Sequence, residues 1–160
     1  MRRFALGMVA AAAVVLGVFF TRVEVNNLAE VSEKGWVSND EFPVAVAENF
    51  LQRSIEGHLF NLYRWGGYLL WRIGPEYQVF VDGRSFDGAI IRDALAAELV
   101  SFRNSGVPLW RQIFDKHDIE SAILPIIEAG EPYALTMALY RDSEWTLVYQ
   151  SGNAGLFLKR

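Results

Sequence analysis

The sequence predicts an α/β protein in which an N-terminal apolar segment precedes one small α/β domain. An uncharged apolar run covers residues 4–20. Beyond residue 42, segments with helical apolar spacing alternate with short strand-like segments, which favours a mainly parallel sheet. The last two strand-like segments, residues 145–149 and 156–159, flank an SGNAG turn and are typical of a hairpin. We therefore predict a compact αβα sandwich with a mainly parallel sheet and a C-terminal antiparallel hairpin.

The apolar run predicts a membrane anchor. A spanning helix needs about 17 to 25 mainly apolar residues. The small residues of this run lie in its middle instead of at its end, where a signal peptidase requires them. We therefore expect a retained signal anchor over residues 1–22 and a linker or edge strand over residues 23–41. The alternatives are a cleaved signal peptide and the last helix of a split polytopic protein.

The charges around the run predict its orientation. Arg2 and Arg3 precede it, and the positive-inside rule then keeps the N-terminus in the cytoplasm. We expect a single-pass protein of the cytoplasmic membrane whose domain, residues 42–160, lies outside the cytoplasm, in the periplasm.

The domain is expected to contain five helices and five strands. The helices are predicted over residues 43–56, 68–73, 88–102, 109–117 and 132–140. The strands are predicted over residues 58–63, 77–81, 119–124, 145–149 and 156–159, with turns at the Trp65-Gly66-Gly67 and Asp82-Gly83 sequences.

Composition excludes several kinds of function. The chain has no cysteine, which excludes disulfides, thiol catalysis and cysteine metal sites. Its net charge is −4, and an acidic domain is repelled by phosphate backbones, so we expect no nucleic-acid partner. His58 and His117 show no metal-binding spacing, and neither a nucleophile elbow nor a phosphate-binding loop occurs. We therefore expect no metal and no cofactor, and these observations disfavour catalysis by this chain alone while leaving it open.

Three short motifs carry a resemblance to a known family. They are residues 60–71 (FNLYRWGGYLLW), residues 79–84 (VFVDGR), and a C-terminal motif formed by residues 145–149 (WTLVY) and 154–160 (AGLFLKR). Together they resemble the soluble C-terminal extracytoplasmic domain of bacterial polytopic proteins similar to GT-C-type glycosyltransferases, which use lipid-linked sugars. The resemblance covers residues 43–160, nearly all of the predicted domain.

The resemblance implies a setting and no catalytic residue. In that family the catalytic carboxylates lie in a loop between membrane helices, and this chain contains no such loop. What the resemblance implies is a location outside the cytoplasm and a role in assembling cell-envelope glycans. The expected partners are the membrane and either a polytopic glycosyltransferase or a lipid-linked sugar.

The first candidate ligand-binding group follows the strand at residues 77–81. It comprises Asp82, Arg84 and Asp87. Ligands of open α/β sheets bind beyond the carboxyl ends of strands, and a carboxylate beside a guanidinium can hold a sugar hydroxyl or a phosphate. The structural alternative is that Asp82 belongs to a turn, Ser85 caps the next helix and Asp87 lies in its first turn.

The second candidate group follows the strand at residues 58–63. Asn61, Arg64 and Trp65 are expected beside Asp82 if the two strands are neighbours, and Trp with Arg would suit the face of a sugar. The structural alternative is that Trp65 packs in the core and Arg64 pairs with Asp82 or Asp87. Five other aromatic residues lie on apolar periodic faces and are expected in the core. The alternative is that they form a surface on which sugar rings stack. These residues are Tyr68, Trp71, Phe80, Trp110 and Trp145.

Three functions remain open. The first is a non-catalytic accessory module of a GT-C-like glycosyltransferase. The second is an independent extracytoplasmic carbohydrate-active enzyme that uses Asp82 and Asp87 as its carboxylate pair. The third is a structural domain that mediates self-association.

Overall fold

The computed structural model describes Ser38 and residues 41–85, 87–100 and 106–160. These residues belong to a compact unit that spans Asn39–Arg160, apart from Ser38, which precedes it. The predicted anchor, residues 1–22, lies outside the described residues, as does nearly all of the predicted linker. Among the residues that are described, no helix has both the length and the apolar character that a bilayer crossing requires.

The described part of the domain alternates helices with strands. The helices are α1 (Val44–Gln52), α2 (Tyr63–Ile73), α3 (Gly88–Glu98), α4 (Leu109–Lys116) and α5 (Ala134–Arg141). The strands are β1 (His58–Asn61), β2 (Ile119–Pro125), β3 (Ile127–Glu128), β4 (Glu131–Pro132), β5 (Trp145–Ser151) and β6 (Ala154–Lys159).

The main sheet is mixed, with the strand order β1-β2-β6-β5. Strands β1 and β2 are parallel, whereas β6 is antiparallel to both β2 and β5. The predicted C-terminal hairpin is confirmed, but the prediction of a mainly parallel sheet is wrong. The hairpin contributes two of the four strands, and one of them, β6, lies in the interior of the sheet. A separate hairpin, β3 with β4, was not predicted.

The predicted strand at residues 77–81 is reduced to one bridge, in which Val79 lies parallel to Leu59. The Asn61 side chain explains why the ladder stops there. Its Oδ1 accepts a 2.8 Å hydrogen bond from the Phe80 N–H, and its Nδ2 donates a 2.8 Å hydrogen bond to the Val81 carbonyl. Because a side chain satisfies these backbone groups, the segment runs beside β1 without forming a regular strand.

Helix α2 begins five residues before the predicted helix. The Trp65-Gly66-Gly67 sequence, predicted as a turn, lies inside its first two turns. Glycine usually disfavours a helix interior, but Gly66 is needed for packing: a Cβ added there would overlap the Val81 carbonyl and lie 2.7 Å from the Asp82 Cα.

The core covers both faces of the sheet. Every residue of β2 after Glu120 is buried, and successive side chains of a strand point to opposite faces. Packed elements therefore cover β2 on both sides, as an αβα sandwich requires. The centre holds four fully buried rings, with Phe60 and Phe114 only 4.8 Å apart; they are Phe50, Phe60, Phe114 and Phe157.

Candidate functional site

The sheet topology brings the predicted site residues to one edge of the sheet. Strands β1 and β2 are parallel, so their carboxyl ends lie side by side. The Val79 segment runs parallel to β1 and reaches Asp82 at the same edge. The two groups predicted from sequence therefore do lie in the same part of the fold.

Asn61 is the buried centre of this edge. Besides holding Phe80 and Val81, its Nδ2 donates a 2.9 Å hydrogen bond to the Leu62 carbonyl. The side chain has no exposed surface, and both ends of its amide are occupied by backbone partners. Its observed contacts position the chain that leads into Asp82.

Asp82 organises a tight turn. Its Oδ1 accepts a 2.6 Å hydrogen bond from the Arg84 N–H, and its own N–H donates to the Ser85 hydroxyl at 3.0 Å. This is the local pattern by which aspartate stabilises turns. The Arg84 guanidinium lies 3.4 Å from Asp82 Oδ2, and the Arg84 side chain is 72% exposed whereas that of Asp82 is 12% exposed. The turn therefore exposes the Arg84 guanidinium to solvent, while its counter-ion, the Asp82 carboxylate, lies largely buried behind it.

Asp87 caps helix α3. Its Oδ1 accepts a 2.7 Å hydrogen bond from the Ala89 N–H, which is the interaction expected at an N-cap. The alternative prediction that Ser85 caps this helix is wrong, because the Ser85 hydroxyl faces the Asp82 N–H instead. Asp87 therefore stabilises the start of the helix directly.

Arg64 pairs with Glu128 of β3 and with neither predicted aspartate. The prediction that Arg64 bridges to Asp82 or Asp87 is thus wrong. The reason is the unpredicted β3–β4 hairpin, which carries Glu128 beyond the end of β2 to the start of α2. Both partners are about half exposed, so the pair is a surface interaction of small net energy.

Trp65 faces the protein interior. The side chain is only 5% exposed, and its indole N–H donates a 2.9 Å hydrogen bond to the Glu41 carbonyl. The expected core packing of this ring is therefore observed. Trp65 therefore offers little surface to a ligand, whereas Tyr63 and Trp71 of the same helix are exposed.

Sequence reasoning missed a carboxylate and a phenol beside the Arg64–Glu128 pair. The Tyr133 hydroxyl donates a 2.8 Å hydrogen bond to Glu98 Oε2. Burial raises the pKa of Glu98 above its usual value, although this hydrogen bond and the charge of Arg64 act in the opposite direction. Burial also raises the pKa of Tyr133, and the neighbouring Glu98 carboxylate raises it further. No sequence spacing links these residues, because Glu98 is the last residue of α3 and Tyr133 immediately precedes α5.

A second group of titratable residues lies at the opposite edge of β1 and β2. His58 Nδ1 lies 2.8 Å from the His117 carbonyl, and His117 Nε2 lies 2.8 Å from Asp93 Oδ2, which Lys116 also contacts. The hydrogen bonds from His117 and Lys116 lower the pKa of Asp93. A cavity of about 360 Å³ adjoins the two histidines. Within the described ranges, no three potential ligands are placed to hold a metal ion.

Comparison with known proteins identifies the fold. No protein-family model matches the sequence, and no curated protein sequence is similar to it. The structure is similar to the crystal structure of the C-terminal globular domain of an oligosaccharyltransferase from Archaeoglobus fulgidus, with a TM-score of 0.50 and 12% sequence identity. The match covers 72% of this chain and 96% of that domain. The chain thus shares the fold of that C-terminal globular domain.

Proposed function

We propose that the domain is a non-catalytic accessory module that works with a GT-C-like glycosyltransferase in the assembly of cell-envelope glycans. The observation that carries this proposal is the likeness of its fold to the C-terminal globular domain of an oligosaccharyltransferase. In that protein the fold forms the C-terminal domain of an oligosaccharyltransferase. In this chain the same fold is proposed to act on a glycosyltransferase carried by another polypeptide.

The geometry of the candidate site supports an accessory role over an independent enzyme. Most glycoside hydrolases use two carboxyl groups that flank the same glycosidic bond. Asp82 is held by the backbone of its own turn, and Asp87 is held by the first turn of α3. Both carboxylates therefore have structural tasks that substitution would disturb, whereas the exposed guanidinium of Arg84 remains available for contact with a partner.

The proposal includes a location. If residues 1–22 form the predicted anchor with Arg2 and Arg3 in the cytoplasm, the domain lies outside the cytoplasm, beside the membrane. The family that the sequence motifs resemble uses lipid-linked sugars, and the resemblance implies that such enzymes work at this surface. Periplasmic accessibility of a cysteine introduced at the exposed position Tyr140 tests the location independently.

Crosslinking in native membranes tests the partnership. The full-length chain is crosslinked, purified under denaturing conditions, and the attached proteins are identified by mass spectrometry. We expect recovery of a polytopic glycosyltransferase, less of it with Arg84→Glu, and an unchanged amount with Arg141→Glu, a matched exposed arginine on α5. Recovery of the chain alone, or only of further copies of itself, would refute the accessory role and favour self-association.

A further inference from the structure

The outer face of α2 carries an exposed row of aromatic residues. Tyr63, Gly67 and Trp71 are spaced four residues apart and therefore lie along one side of the helix. Trp71 is 71% exposed and Tyr63 is 45% exposed. The expectation that Trp71 lies in the core is wrong, because its helical position points away from the buried positions Leu69 and Ile73.

Gly67 leaves a gap between the two rings. It is exposed, and a Cβ added there would meet no other atom within 4 Å. The distance along the helix from Tyr63 to Trp71 is about 12 Å at 1.5 Å per residue. We call these three residues the α2 aromatic face; it is a shallow surface with an aromatic ring at each end.

The α2 aromatic face continues into the turn at Asp82. A Cβ added to Gly83 would lie 3.9 Å from the Tyr63 hydroxyl, so the ring of Tyr63 borders this turn. The exposed guanidinium of Arg84 follows directly. An elongated ligand on the face therefore meets two aromatic rings and then a hydrogen-bonding cation.

The Trp71 ring is packed against neighbouring rings. The Trp71 ring lies 6.0 Å from that of Tyr68, and the Tyr68 ring lies 5.2 Å from that of Phe42. Rings that are already packed against neighbours lose little conformational entropy when a ligand binds.

The charges beside the face select the kind of ligand. The neighbouring cations Arg64 and Arg72 are paired with Glu128 and Glu48, so their charges are balanced. Such a surface has little attraction for anionic lipids. Tyrosine and tryptophan suit ligands that have both an apolar face and hydrogen-bonding edges.

We propose that the α2 aromatic face binds an oligosaccharide, with sugar rings stacked on Trp71 and Tyr63 across Gly67 and with hydroxyl groups near Arg84. This inference rests on the proposed function, since it assigns the glycan as a direct ligand of the accessory module. The length of the face favours a chain of sugars over a single ring.

Titration of the full-length chain with linear tetrasaccharides of glucose and of N-acetylglucosamine tests this inference. Any detergent must lack a sugar headgroup, because such a headgroup would compete. We expect saturable binding to at least one tetrasaccharide, weakened about tenfold by Trp71→Ala, which removes one stacking contact, and by Gly67→Gln, which fills the gap. Tyr140→Ala, which removes a comparably exposed ring on α5, should leave the affinity unchanged.

The outcomes separate this inference from the proposed function. Absence of binding to both tetrasaccharides, or equal weakening by Tyr140→Ala and Trp71→Ala, overturns the glycan site. If Trp71→Ala instead abolishes crosslinking to a glycosyltransferase and no sugar binds, the face docks a protein, so the inference fails while the accessory role stands. If sugar binding depends on Trp71 but no glycosyltransferase is recovered, the glycan site stands and the accessory role fails.

Discussion

At the scale of single residues, the two neighbouring glycines of α2 have opposite surroundings. Gly66 faces the Val81–Asp82 backbone so closely that a Cβ would overlap it, whereas Gly67 faces open space. We expect Gly66→Ala to destabilise the domain by about 2 kcal/mol, because the added methyl group must push that segment away from the helix. Gly67→Ala should stabilise it by about 1 kcal/mol through helix propensity.

Denaturant unfolding of the two variants measures both effects. Each replaces a glycine of the same helix by the same residue, so the pair isolates the packing term from the propensity term. Equal stability changes in the two variants would contradict the close approach of α2 to Asp82.

The half-buried carboxyl of Glu98 predicts a pH dependence of stability. Burial raises its pKa in the folded protein above the usual value near 4.5. The folded state therefore holds the proton more tightly than the unfolded state, and the free energy of unfolding falls as pH rises above about 4.5 through the folded pKa. Glu98→Gln keeps an acceptor for the Tyr133 hydroxyl. It should be more stable than the wild type at pH values above the folded-state pKa of Glu98.

Unfolding at several pH values checks this expectation. The difference between wild type and Glu98→Gln should shrink as pH falls below the folded pKa of Glu98. The matched control is Glu131→Gln, an exposed carboxylate on β4, which should show no such trend. If wild type and Glu98→Gln differ by the same free energy of unfolding at all pH values, then Glu98 does not titrate in the pH range measured.

The separation of residues along the chain decides which contacts were predictable. The Asp82 turn and the start of α3 near Asp87 are local and follow from short-range patterns in the sequence. The pair Arg64–Glu128 joins residues 64 positions apart, and Glu98–Tyr133 joins residues 35 positions apart. Such contacts depend on how whole elements pack, and no spacing rule reaches that far.

At the scale of elements, α3 relies on acidic side chains at its start, in its middle and at its end. Asp87 caps its start, Asp93 in its middle contacts Lys116 and His117, and Glu98 at its end accepts from Tyr133. Its buried apolar residues are the small Ala94 and Ala97, so it buries less apolar area than helices that carry large core residues. The attachment of α3 should therefore depend on pH more than that of the other described helices.

Asp93→Asn tests this attachment. The hydrogen bond from His117, and then that from Lys116, lowers the pKa of Asp93 in the folded state. Its contribution is thus present above the unfolded pKa near 3.8 and is lost as pH falls through the folded pKa. We expect a loss of about 1 kcal/mol near neutral pH and faster amide exchange in α3.

The control for this variant is Asp115→Asn. Asp115 contacts Lys159 at 3.5 Å, and the Asp115 side chain is more exposed than that of Asp93, so its removal should cost less and leave exchange in α3 unchanged. Equal effects of the two variants would mean that Asp93 does not hold α3 in place.

Element types were more predictable than the pairing of strands. Helical spacing located α1, α3, α4 and α5, and the C-terminal turn sequence located the β5–β6 hairpin. The segment at residues 77–81 has a strand-like sequence, but Asn61 takes up its backbone hydrogen bonds. Whether this segment forms a regular strand depends on a side chain of β1, and local sequence patterns do not show such a contact.

At the scale of the whole molecule, the last strand of the chain is an inner strand of the sheet. Strand β6 lies between β2 and β5 and hydrogen-bonds to both. It also contributes the fully buried Leu156 and Phe157 to the core. The sheet is therefore complete only when the C-terminal residues have joined β2, whose paired residues precede them by about 30 positions. Such non-local closure makes folding depend on the C-terminal end.

Two truncations of opposite ends test this dependence. A chain of residues 39–160 retains the compact unit, so we expect it to unfold cooperatively at the same temperature as the domain in the full-length chain. A chain of residues 1–153 lacks β6, which removes Leu156 and Phe157 and leaves the backbone groups of β2 that paired with them without partners. It should lose its near-ultraviolet circular dichroism and its cooperative transition. If residues 39–160 instead unfold well below the full-length protein, the preceding residues stabilise the domain, and ligand titrations must then keep the entire chain.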